Sequence, residues 1–305
     1  MPQKDYAFWV KLASRAAVAT ASVLIVIKLA AWLWSGSASM LASVTDSVAD
    51  VLASLVNFFA VRYALVPADN DHRYGHGKAE HLASLAQAAF ILGSAFFLLL
   101  HGGDRLFAPE PVQHATIGMA VSVIAIALTL ALVTLQKKAL QATASTVVEA
   151  DALHYKSDLF LNAAVLLALV LAGYGLWWAD GLFAILIALY IGYQAGDLGY
   201  RSIQALLDRE LDEETRLQIV QIATECEQVY GVHDLRTRQS GQTLFIQLHL
   251  ELDGDLPLRE AHRIAVDAEY RIAAAFPNAE VIIHQDPEDE VPATVLREEI
   301  APESP

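Results

Sequence analysis

"DALHYKSDLFLNAAVLLALVLAG", residues 151–173, begins as a polar surface and ends as the interior of a membrane. From Leu159 onward only Asn162 interrupts the apolar run, yet Asp151, His154, Lys156 and Asp158 stand at its head. An ionisable side chain at the centre of a bilayer costs about 2.5–3.5 kcal/mol even on the lenient insertion scale, so each needs a partner or a use. Asp151, His154, Asp158 and Asn162 recur at intervals of 3, 4 and 4, which lines them up along one helix face.

This apolar run is one of six. Of the 305 residues, 55% are hydrophobic, and they come in long blocks rather than stripes. Blocks at about 10–34, 39–66, 82–106, 116–136, 147–172 and 181–204 are each long enough to cross a hydrocarbon core of ~30 Å as a helix. The first is too long for a cleavable signal peptide, and no small-residue site ends it cleanly. From Asp208 the chain becomes charged and alternating. The predicted fold is therefore an α-helical polytopic membrane protein with six transmembrane helices over residues 1–207. A small α+β domain follows over 208–287, then an acidic, disordered tail over 288–305.

Lys4, Lys11, Arg15, Arg73, Lys78, Lys137, Lys138 and Arg201 fall on one side of the six spans, whereas the opposite loops carry only Arg105. This bias places both termini and the soluble domain in the cytoplasm. Trp32, Trp34, Trp177 and Trp178 mark the outer helix ends, as an interfacial aromatic belt does. Of the net charge of −15, residues 208–287 carry −9 and the tail −5. That acidity argues against nucleic acid or anionic lipid as a partner and suits attraction of cations. Cys226 stands alone, so neither an intrachain disulfide nor a thiolate metal cluster is available.

The second block, "SASMLASVTDSVADVLASLVNFF" (37–59), repeats the device of the fifth. Ser39, Ser43, Asp46, Asp50, Ser54 and Asn57 are spaced 4, 3, 4, 4 and 3, again one face. Each helix thus presents an i,i+4 pair of ionisable groups, Asp46/Asp50 and His154/Asp158. Packed face to face, they offer three carboxylates and one imidazole, enough for a tetrahedral divalent-cation site. Helix-packing hydrogen bonds would explain one such pair less expensively than two. A Gly-rich phosphate loop, a serine elbow and an HExxH motif are all missing, which argues against an intramembrane enzyme.

Between blocks two and three, "PADNDHRYGHGKAEH" (67–81) sets Asp69, His72 and His76 at spacings of 3 and 4, with Gly75 and Gly77 bending the chain. Two imidazoles and a carboxylate make a three-ligand site with room for water, for which Asp71, Glu80 and His81 are competing candidates. The soluble segment reads as helix 213–227, strand 232–239, a Ser-Gly turn, strand 243–252, helix 258–276 and strand 280–285, a small antiparallel or mixed sheet with helices on one face. By strand period, Leu244, Ile246, Leu248 and Leu250 point inward and His249 outward, while Ile282, His284 and Asp286 share one side. With His233 and His262, four histidines and an aspartate fall within 80 residues, a candidate metal cluster.

"TDSVAD" (45–50), "LHYKSD" (153–158), "DHRYGHGKAE" (71–80), "HDLRTRQSG" (233–241), "IQLHLEL" (246–252) and "VIIHQDP" (281–287) together resemble the cation diffusion facilitators. The likeness is to their bacterial zinc(II)/proton antiporters, also described as ferrous-iron efflux pumps, and covers roughly residues 8–288. It implies a homodimer in the bacterial inner membrane that exchanges Zn2+, Cd2+ or Fe2+ for protons by alternating access. It further implies a transport site of Asp46, Asp50, His154 and Asp158, a loop site of Asp69, His72 and His76, and a binuclear site at the cytoplasmic dimer interface. That last site would use His233, His249, His262, His284 and Asp286, with Gln285 contributed from the partner chain. A charge interlock between Lys78 and Asp208 is also implied by the resemblance alone. An imidazole in the ligand set favours Zn2+ or Cd2+ over Mn2+ or Mg2+, while Fe2+ and Co2+ remain compatible. A membrane-anchored metal sensor is the alternative, and it would have no need of Asp46, Asp50 and Asp158 within the bilayer.

Overall fold

The computed structural model of the protein describes residues 3–35, 38–107, 115–172, 174, 176 and 178–292. Six long helices come first: α1 (Gln3–Ser35), α2 (Ala38–Ala64), α3 (Ala79–Phe107), α4 (Ala115–Thr143), α5 (Thr146–Ala172) and α6 (Ala179–Leu206). Among the described residues, all but α5 contain a window long and apolar enough to cross a membrane with at most two charges. Helix α5 is of similar length but carries Glu149, Asp151, Lys156 and Asp158. Two of these, Asp151 and Asp158, lie on the polar stripe with His154, while Glu149 pairs with Arg201 and Lys156 with Tyr190. The predicted helical membrane fold is therefore the observed one.

In this part of the molecule, small side chains mark where helices meet. Ala13, Ala17 and Ala21 of α1, Ala88 and Ala95 of α3, Ala150 of α5 and Ala195 of α6 are buried, while Phe8, Leu33, Phe97 and Leu189 are exposed on the outside. That inversion is expected in lipid, where close backbone approach rather than apolar burial drives helix association. Helix α3 packs along α6, and α1 along α2 and α4.

The C-terminal domain runs α7 (Glu213–Thr224), β1 (Gly231–Ser240), β2 (Thr243–Leu252), α8 (Leu258–Ala275) and β3 (Ala279–Pro287). Asp212 caps α7 by accepting the Thr215 amide, and Glu213 and Glu214 complement the positive end of the helix dipole. Strands β1 and β2 pair antiparallel, β2 and β3 parallel, so the sheet is mixed with β2 at its centre. Ile246, Leu248 and Leu250 meet Ile219 and Val220 of α7 and Ile264, Ala268 and Ile272 of α8 in one core. The other face of the sheet carries the histidines and Phe245. After β3, Glu288–Glu290 forms a single 3-10 turn, and residues 293–305 of the acidic tail lie outside the described residues.

Candidate metal-transport site and two accessory centres

Midway along the bundle, the polar stripe of α5 faces that of α2. His154 Nε2 lies 3.1 Å from Asp50 Oδ1 and 3.8 Å from Asp158 Oδ2. Single ligand atoms of these three residues all fall within 4.8 Å of one another. Asp50 and His154 are buried, Asp158 is half-buried, and Asp46, one turn along α2, is exposed and stands outside this group. The helix face predicted from spacing is thus present, but three of its four candidates converge. Lys156 turns away, its Nζ donating to the Tyr190 hydroxyl at 2.8 Å.

Below the site, the same stripe is braced. Asp151 accepts from Asn57 Nδ2 at 3.0 Å and from Gln136 Nε2 at 2.7 Å, tying α5 to α2 and α4. Ser54 Oγ and the Tyr155 hydroxyl lie 2.7 Å apart, and Tyr155 also donates to the Ala17 carbonyl of α1. These bonds hold the ring next to His154 in place, which fixes the imidazole's approach to Asp50.

The loop after α2 brings Asp69, His72 and His76 together. His72 Nδ1 is 3.4 Å from Asp69 Oδ1, and His76 Nε2 is 3.5 Å from Asp69 Oδ2. His76 is buried and places Nδ1 3.2 Å from the Val66 carbonyl, which leaves Nε2 as the free ligand atom. The backbone amide of His72, then that of Asp71, hold the Asp69 carboxyl below its ordinary range, so it stays ionised for a cation. Glu80 and His81 take no part: Glu80 is buried under the hydroxyls of Tyr6 and Ser145, and His81 Nδ1 contacts Thr146.

In the C-terminal domain, register does what period alone could not. His233 of β1 pairs with His249 of β2, which pairs with His284 of β3, so three imidazoles stand side by side across the sheet. Asp286, two residues beyond His284 on the same face, reaches all three. Its Oδ2 is 2.7 Å from His249 Nδ1 and 3.3 Å from His233 Nε2, and its Oδ1 is 3.1 Å from His284 Nε2. One carboxylate thus serves two directions. His262 is exposed on α8 and is not brought into this group, and the Gln285 amide donates to the carbonyl of Ile283.

Residues 14–207 match the cation efflux transmembrane domain, and residues 211–288 match the cation efflux protein cytoplasmic domain. The chain belongs to the cation efflux family. A cation-efflux pump FieF of Shewanella oneidensis is 72% identical over 290 residues, covering 95% of this chain and 98% of that one. A protein of the same name from Yersinia pestis is 52% identical over 288 residues, covering 94% and 96%. Among solved structures, the zinc form of a putative zinc transporter CzrB is 36% identical and covers 28% of this chain and 98% of that one, at a TM-score of 0.26.

In this cation efflux protein the two parts of the chain are joined by more than α6. Lys78 Nζ lies 2.8 Å from Asp208 Oδ1 and donates to the Leu206 carbonyl at 3.2 Å. Burial works to raise the Asp208 carboxyl, but Lys78, aided by Arg238, outweighs it and holds the group below its ordinary range. The Arg238 guanidinium lies over both Tyr74 and Phe245, at 4.5 and 4.8 Å from the ring centroids. Phe245 points away from the domain core as strand period requires, yet it is buried, because Tyr74 of the loop covers it edge-on.

Three functional neighbours escape the reading of the sequence alone. Glu251, fully buried, holds His233 Nδ1 at 3.0 Å and so presents Nε2 to Asp286. Gln136 gives no signal beyond a polar residue near a span end. Lys28, whose Nζ donates to Ser47 Oγ at 2.7 Å, did leave one: a lone lysine inside an apolar run.

Proposed function

We propose that the protein is a secondary active exporter that exchanges cytoplasmic Zn2+ for external protons. Cd2+ and Fe2+ fit the same donor set. The observation that carries this reading is the position of His154 Nε2 between Asp50 and Asp158. A hydrogen bond there needs a proton between Nε2 and the Asp50 carboxyl, whereas a metal needs the lone pairs of both free. Proton and metal therefore compete for one position, which is the elementary requirement of an antiporter with a single, alternately exposed site. On the cytoplasmic side Zn2+ displaces the protons, and on the outer side higher proton activity reverses the exchange. Asp46 joins the ligands on this reading through a modest rotation of α2, which also carries Asp50.

The protein would act as a homodimer in the bacterial inner membrane, both termini in the cytoplasm. Zn2+ held by His233, His249, His262, His284 and Asp286, with Gln285 contributed from the partner chain, would offset the repulsion between two acidic domains. The loop site at Asp69, His72 and His76 stands between this clamp and the membrane.

The test is Zn2+ uptake into proteoliposomes under an imposed pH gradient, wild type against Asp50→Ala. Flux coupled to lumenal pH change and lost in the variant is the expected result. A folded protein that binds zinc through its cytoplasmic histidines but moves none would instead be a membrane-anchored sensor.

A further inference from the structure

Lys28 lies within "SVLIVIKLAAWLW" (22–34) and is the only basic residue between Arg15 and Arg62. Helix α1 ends at Ser35 and α2 begins at Ala38, so Lys28 and Ser47 lie at matching depth, roughly 10–14 Å in from the outer helix ends. Side chains on a helix lean towards its N-terminus, which for α1 is the cytoplasmic end. Lys28 therefore leans inward along the helix instead of reaching for the nearer surface. Its half-buried ammonium donates to Ser47, a residue 1% exposed and flanked by the acidic stripe at Asp46 and Asp50. A serine hydroxyl satisfies one N–H but neutralises no charge, and an ammonium at this depth needs negative charge close by. The charge of Lys28 is within electrostatic reach of both Asp46 and Asp158, one on each wall of the transport site.

Asp46, Asp50, Asp151 and Asp158 set four carboxylates along the two stripes against this one ammonium, and Asp151 has only the neutral amides of Asn57 and Gln136 as partners. We propose that Lys28 is a tethered counter-cation that lowers the net negative charge of the transport site. It touches no metal and donates no ligand. Its role is to keep the loaded site closer to neutral in a low-dielectric surrounding, so that the cation is not held too tightly to leave. Without it, the loaded site would carry one more uncompensated negative charge, and release would be the step that suffers. The inference rests on the Zn2+/proton exchange proposed above.

The experiment measures initial Zn2+ flux against zinc concentration in proteoliposomes for wild type, Lys28→Gln, Lys28→Arg and Ser47→Ala. Lys28→Gln is expected to lower KM about tenfold and to lower kcat with it, because a stripped charge tightens capture and slows release. Lys28→Arg keeps the charge and is expected to keep the wild-type KM. Ser47→Ala removes the hydrogen bond alone and should also leave KM unchanged. A Lys28→Gln KM equal to wild type, or a Ser47→Ala variant that reproduces the Lys28→Gln shift, would overturn the proposal in favour of a helix-packing role. Lys28→Met, which a bilayer accepts more readily than lysine, reads the same quantity if the glutamine variant inserts poorly. Absence of Zn2+ flux in the wild type would fail the exchange reading itself, an outcome distinct from both.

Discussion

Replacing Gly77 by alanine tests whether the membrane loop and the cytoplasmic domain work as one unit. A Cβ at Gly77 would stand 2.5 Å from both the carbonyl carbon and oxygen of Ser240 and 2.7 Å from the Gly241 nitrogen. Ordinary contact begins near 3.4 Å, so the β1–β2 turn and the loop must separate by about 1 Å. All three obstructing atoms are backbone, and no side chain can rotate out of the way. Overpacking of this kind costs about 1–3 kcal/mol, or roughly a 5- to 100-fold weakening of the docked arrangement. The opposing contacts are modest: a half-exposed Lys78–Asp208 pair, worth at most about 1 kcal/mol, and the stacking of Arg238 on Tyr74 and Phe245, worth a similar amount. The added methyl therefore shifts the loop off the turn. His76 is the residue next to Gly77, so the loop site loosens with it. Hydrogen exchange in full-length protein is the assay, with faster exchange expected at 72–79 and 240–245 and unchanged exchange in α8. Protection at both segments equal to wild type would refute the claim that this contact is tight.

Three further outcomes follow from other parts of the molecule. Asp208 titrates below its free value of 3.8, so its contribution to docking is present above that value and is lost as pH falls through the lowered one. Cross-linking between loop and domain should fall on acidification, Asp208→Asn should remove that acid-sensitive step, and a step that persists in the variant would assign it elsewhere. Burial of Cys226, at 4% exposure, pushes its thiol up, so iodoacetamide should label it slowly at neutral pH until the domain unfolds. Rapid stoichiometric labelling of folded protein would contradict the packing of α7. Asp151→Ala strips two buried amides of their acceptor, each worth about 1–3 kcal/mol, and should lower the melting temperature in detergent. An unchanged melting temperature would mean that Asn57 and Gln136 find other partners.

How much could be read from the chain depends on whether the signal is local. Spacings of 3 and 4 along α2 and α5 are properties of single helices, and they expose the stripes completely. Which members of a stripe converge is set by how the two helices cross, and that is why Asp50 joins His154 and Asp158 while Asp46 does not. Strand period likewise separates inward Leu248 from outward His249, but it carries no register. The alignment of His233, His249 and His284 depends on a bulge between His233 and Arg236 and on the parallel return of β3 after α8. Lys28, Gln136 and Glu251 act through partners 15 to 19 residues away, on another helix or strand. A lone lysine in an apolar run is the one such signal that could have been weighed, because its cost in lipid demands an explanation.

All three centres interleave carboxylates and imidazoles: His154 lies between Asp50 and Asp158, whereas Asp69 lies between His72 and His76 and Asp286 among three histidines. At His154–Asp50 (3.1 Å) and His249–Asp286 (2.7 Å) nitrogen and oxygen stand close enough for a shared proton to hold the donors together until a metal takes its place, while the loop pairs stand 3.4 and 3.5 Å apart. Such a site is organised in both states, so loading it needs little rearrangement but must release protons. On the proposed reading, protons displaced in the C-terminal domain and the loop would return to the compartment they came from, and the exchange there would only report metal. Between α2 and α5 the same exchange would be placed inside the membrane. If the two faces of that site open in turn, the identical chemistry becomes coupled transport, and the tethered charge of Lys28 then decides how readily the cation leaves.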